Sequence, residues 1–116
     1  MNNYKMKKTN QNVIKTILYI KQMKALAQLN GIKGQLTIIE NKIDVLEQRK
    51  QNAWREIEAN ICNHYHQSQK FIRQGQDTII ELQASRAALK SDLVLAEMNL
   101  KSVMYAKQAF KISAEK

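Results

Sequence analysis

Apolar residues recur along this chain at alternating steps of four and three. From Leu18 the series runs Leu18, Gln22, Ala25, Leu29, Ile32, Leu36, Ile39, Ile43, Leu46, Lys50, Ala53 and Ile57, and ten of these twelve positions are apolar. A second series from Ile72 runs Ile72, Gly75, Ile79, Leu82, Arg86, Leu89, Leu93, Ala96, Leu100, Val103, Lys107 and Phe110, with nine of twelve apolar. A sustained period of about 3.5 residues keeps one face of a helix turned toward a supercoiling partner, so the pattern predicts a coiled coil. The fold class that follows is all-α, two long helices forming an antiparallel coiled-coil hairpin within a single domain.

Folding the chain about His64 sets the two series opposite each other. Ile57 then faces Ile72, Ala53 faces Gly75, Leu46 faces Leu82, Leu36 faces Leu93 and Leu29 faces Leu100, and polar Gln22 meets polar Lys107. The first arm is expected over about 13–61, the turn over about 62–67 where the apolar period lapses, and the second arm over about 68–112. Each arm of about 40 residues would reach roughly 60 Å at 1.5 Å per residue. No glycine or proline marks the turn, so a continuous helix pairing with a second chain is the alternative architecture. Lys50, Arg86 and Lys107 occupy seam positions, where their stems can lie along the apolar face while the heads reach water, at a cost in stability but with a gain in register. Gly31 and Gly34 each cost about 1 kcal/mol of helix relative to alanine, which makes their stretch the softest in the first arm. A groove for a partner helix is the other reading of that pair.

Composition supports helix throughout. The 116 residues include three glycines, no proline and a single tryptophan, Trp54, with 25% charged and 44% apolar side chains. So few aromatic residues suit a thin helical object better than a globule with a large interior. Cys62 is the one cysteine, which fits a reducing cytoplasm. Val13 to Ile20 is interrupted by Lys15 and Thr16, so the start reads neither as a signal peptide nor as a membrane span, and the expected location is the cytoplasm. The net charge of +9 is unevenly placed: residues 1–33 hold seven lysines and no acid, 101–116 hold four lysines against Glu115, and the stretch between is nearly balanced. Positive charge gathered at both chain ends points to an acidic partner, or to a solubilising surface.

A two-helix structure offers no enclosed pocket in which reacting groups are held away from water, so catalysis is not expected. Glu40 with Asp44, Glu56 with Glu58, and Asp77 with Glu81 read as solvated helix faces. Gly31 and Gly34 lack the preceding strand that a phosphate-binding loop requires. Cys62, His64 and His66 fall within five residues of each other, but residues two apart do not share a helix face and no fourth ligand is near, so no metal and no cofactor is expected. Lys5, Lys7, Lys8, Lys15, Lys21 and Lys24 could meet phosphates, with Tyr4, Tyr19, Tyr105 and Phe110 as nearby aromatics, yet no nucleic-acid reading motif is present. Attachment of Val13 to Met23 to a membrane surface is a further reading, although those apolar positions also serve to continue the hairpin.

With its length, its two heptad arms, its basic ends and a glutamine-rich start to the second arm (Tyr65-His66-Gln67-Ser68-Gln69-Lys70-Phe71-Ile72), the chain from about Ile14 to Phe110 resembles the FliJ/YscO family of type III secretion ATPase stalk proteins. These are similar in shape to the coiled coil of the rotary ATPase γ subunit. The resemblance implies a non-enzymatic central stalk, monomeric when free, whose termini end enters the pore of a hexameric secretion ATPase. There it would promote assembly and hydrolysis, while the opposite tip meets the export gate or a secretion chaperone. Position and charge nominate Ile14, Lys15, Ile17, Lys21, Lys24, Lys101, Lys107, Phe110 and Lys111 for the pore. His64, Tyr65, His66 and Phe71 are nominated for the tip. A dimeric secretion chaperone and a basic coiled-coil nucleic-acid-binding protein are the alternative functions.

Overall fold

The computed structural model of the chain describes residues 2–59 and 65–115, with side chains for 10–59 and 65–114. It contains two long helices, α1 (Asn2–Glu58) and α2 (Tyr65–Glu115), packed antiparallel as a helical hairpin. At three of their four ends the helices run past the limits set by the apolar period. α1 begins at Asn2 rather than near residue 13, because a polar stretch without glycine or proline gives the backbone no reason to leave the helix even where no apolar face needs covering. α1 ends at Glu58, just short of the expected 61, with Ala59 N–H still donating to the Arg55 carbonyl at 2.9 Å. α2 starts at Tyr65, inside the expected turn, and its first turn is tied by Gln69 Nε2 donating to the Tyr65 hydroxyl at 2.7 Å. Of the expected turn, Cys62, Asn63 and His64 lie outside the described residues.

The chain divides into two compact units, each an antiparallel pair cut from the same two helices: residues 1–32 with 92–116, and residues 33–91. By their charge they are here called the basic half and the balanced half. The first holds ten basic and three acidic side chains, the second nine and seven.

All twenty-four seam positions named from the sequence are buried or half-buried. Among the described residues the buried side chains all belong to that set: Leu36, Ile43, Ala53, Ile72 and Ile79 in the balanced half, and Ala25, Leu29, Ala96 and Val103 in the basic half. Burial at seven-residue intervals is the signature of knobs packing into a facing helix.

In the basic half, Lys107 Nζ donates to Gln22 Oε1 at 2.6 Å, joining the two polar residues that the seam alignment set opposite each other. In the balanced half, Lys50 Nζ donates to Gln76 Oε1 at 2.9 Å and lies 3.1 Å from Glu47 Oε2. The seam lysines therefore do more than send their heads to water: each of these two finds a glutamine on the other helix. Burying a long stem while the ammonium reaches a carbonyl at the edge avoids an unsatisfied polar group, and no buried side-chain N or O atom among the described residues lacks a partner.

Gly31 and Gly34 are exposed, and a Cβ at either would meet nothing within 4 Å. The same space surrounds half-buried Gly75 in the seam. No close approach requires glycine at any of the three.

Candidate functional surface

The two halves differ most on the faces turned away from the seam. Twelve of the eighteen large apolar side chains that stand exposed among the described residues lie in the basic half. On α1 these are Val13, Ile14, Ile17, Tyr19, Ile20 and Met23. The segment is thus apolar almost all round, a pattern expected of a helix covered on more than one side. On α2 they are Val94, Leu95, Met98, Met104, Tyr105 and Ile112.

The spacing on α2 is regular. Leu95, Met98, Ser102, Tyr105, Ala109 and Ile112 follow steps of three and four, and all six are exposed. They form a stripe about half a turn round the helix from Leu93, Ala96, Leu100 and Val103 in the seam. Continuing the same stripe into the balanced half gives Gln67, Lys70, Gln74, Asp77, Glu81, Ala84, Ala88 and Ser91, which are polar or small. One face of one helix thus changes character where the basic half begins.

Of the residues nominated for the termini end, Ile14, Lys15, Ile17, Lys21, Lys24, Lys101 and Lys111 are exposed. Lys107 and Phe110 are half-buried in the seam, where Lys107 is engaged by Gln22. They support the helix pair from within. Lys21 and Lys24 border a shallow groove closed from the α2 side by Asn99 and Ser102, so charge and packing meet there. In the balanced half, Tyr65, His66 and Phe71 are exposed, and the Tyr65 and His66 rings meet edge to face at 5.8 Å and 68°. Phe71 also borders a groove with Arg49, Asn52 and Ala53. His64 and Cys62 lie outside the described residues, as do the side chains of Tyr4, Lys5, Lys7 and Lys8.

Among the described residues no group of three histidine, cysteine or acidic side chains is arranged to hold a metal ion. None of the described helices is long and apolar enough to cross a membrane. What this surface can do chemically is associate: it offers apolar area to bury and ammonium groups to pair. Sequence reasoning named the lysines but missed the outward stripe on α2. Its signal was present, since the stripe has the same three-four spacing as the seam, displaced by two residues from Leu93, Ala96, Leu100 and Val103. The chain matches no family model, no curated protein and no solved structure.

Proposed function

We propose that this protein is the non-enzymatic central stalk of a type III protein secretion ATPase, placing its basic half in the pore of the hexamer to promote assembly and hydrolysis. The observation that carries the reading is the coincidence, in one half of the helix pair, of excess positive charge with exposed apolar side chains on both helices. A helix pair surrounded by a ring needs contact groups on its outward faces, because ring subunits approach from outside the seam. Ile14, Ile17, Lys15, Lys21, Lys24, Lys101 and Lys111 supply them. Tyr65, His66 and Phe71 would meet the export gate or a chaperone at the cytoplasmic base of the apparatus.

The test is ATP hydrolysis by the purified secretion ATPase with and without this protein. Addition should raise the rate and the hexamer fraction, and increased salt should weaken the effect. Replacing Lys15, Lys21, Lys24 and Lys111 by glutamate reverses four exposed charges and spares the Gln22–Lys107 bond, so the helix pair should form while stimulation collapses. Lys70→Glu with Arg73→Glu, in the balanced half, is the control and should leave stimulation intact. If the ATPase ignores the protein, the stalk reading fails; if only the control pair abolishes stimulation, the direction of insertion is reversed.

A further inference from the structure

We infer that the outward face of α2 between Leu95 and Ile112 is a second coiled-coil seam, built to receive one amphipathic helix of a protein partner that is apolar along a three-four stripe and acidic at its flanks. Three observations converge on it. The three most exposed large apolar side chains among the described residues are Tyr105 at 68%, Leu95 at 63% and Met98 at 60%, and all belong to this one stripe. Their spacing is that of a coiled-coil seam, sustained from Leu95 through Ile112. Large and small residues also alternate along it: Leu95, Met98, Tyr105 and Ile112 stand as knobs, while Ser102 and Ala109, seven residues apart, leave recesses.

That alternation distinguishes a helix from a lipid surface. Recesses beside knobs let a second helix approach closely and interdigitate. An interfacial lipid-binding face gains from continuous apolar bulk and has no use for them.

Charge selects the partner helix. From Leu95 to Ala114, α2 carries exposed Lys101 and Lys111 against exposed Glu97, with Lys107 turned into the seam, and Lys101 sits beside the stripe. The other helix of the same half contributes Lys15, Lys21 and Lys24 without an acid, so the half is positive on balance. A second copy of this chain would bring lysine against lysine, which opposes association, whereas acidic flanks would be drawn in and paired.

The proposal rests on the reading of the basic half as the partner-binding half, but not on the partner being an ATPase, and its test uses none. The probe is a synthetic helical peptide of about three heptads, with leucine and isoleucine along one stripe and glutamate at both flanks. A twin with lysine in place of glutamate is the comparison. With the full chain, fluorescence anisotropy should show the glutamate peptide binding, more weakly as salt rises, and the lysine twin not binding.

Leu95→Gln, Met98→Gln and Tyr105→Gln together should weaken binding by at least about tenfold while the helical circular dichroism is unchanged, since all three side chains are mostly exposed. Ala109→Trp, which fills a recess while adding apolar surface, should also weaken it. Ile38→Gln with Ile80→Gln, exposed apolar positions of the balanced half, should have no effect. Equal binding by the triple variant overturns the inference. So does a wild-type dimer that the triple variant dissociates, which would make a second copy the occupant. Binding to anionic vesicles that Ala109→Trp strengthens, without peptide binding, would make it a membrane face and overturn it equally. Peptide binding in a protein that fails to stimulate the ATPase would leave this inference standing and remove only the stalk.

Discussion

In the balanced half the apolar side chains are inside: leucine and isoleucine fill the seam at Leu36, Ile43, Ile72 and Ile79, and the outward faces are largely polar. In the basic half the relation is inverted. Among the described residues its buried side chains are smaller, Ala25, Ala96, Val103 and Leu29, while twice as many large apolar side chains stand exposed on its surface. The same two helices, with an unbroken seam period, therefore serve two purposes. One half spends its hydrophobicity on holding itself together. The other keeps much of it on the outside, as the proposed partner contact requires.

The largest effect expected from breaking this contrast lies at Ile79, among the described residues the one large side chain of the balanced half with no exposure. Ile79→Ala should destabilise the protein by about 2–5 kcal/mol in denaturant or thermal unfolding, through lost burial and the cavity left behind. A cost under about 1 kcal/mol would show that the seam of this half is not the source of its stability. Next come the glycines. Gly31→Ala and Gly34→Ala should each raise stability by about 1 kcal/mol, because the positions are helical, exposed and unobstructed. Gly75→Ala should do the same without a clash, its Cβ entering open space beside the seam. Loss of stability at Gly75 would mean that the two helices pack closer there than the structure has them. The smallest effect belongs to the basic half's outward face. Leu95→Gln should change unfolding free energy by less than about 0.5 kcal/mol in the free protein, even though the same substitution is expected to help weaken peptide binding. A large stability loss at Leu95 would reveal a covering partner already present in the purified protein.

The seam was legible in the sequence because coiled-coil packing imposes a period that few substitutions can disguise. Even Gln22, Lys50, Arg86 and Lys107, polar as they are, were assigned to positions that are in fact half-buried. Helix limits were less legible. Residues 2–12 carry no apolar face to count, and helix there is favoured only by local backbone preference and the absence of breakers, so periodicity stops before the helix does. The partners of the seam lysines were readable at Lys107, where polar faced polar, but not at Lys50. A flexible stem can reach several residues, and Gln76 lies beside the seam rather than in it. The outward stripe went unread for a different reason. With one apolar face of α2 already matched to a partner within the chain, the remaining apolar residues resemble ordinary surface, and it is their exposure in the folded helix that singles out their three-four spacing.

The two glutamine–lysine bonds also bear on mechanics. To shear α2 along α1 by one heptad, about 10.5 Å at 1.5 Å per residue, would move Lys107 away from Gln22 and bring it against Leu29 or Lys15, and would move Gln76 away from Lys50. The apolar positions oppose such a displacement only through mismatched sizes, as where Ala25 and Ile32 or Ala96 and Val103 would exchange places. The polar rungs work as detents, one within each half. Under axial load each half must therefore break its polar rung, at about 1 kcal/mol, before its helices can slide past each other.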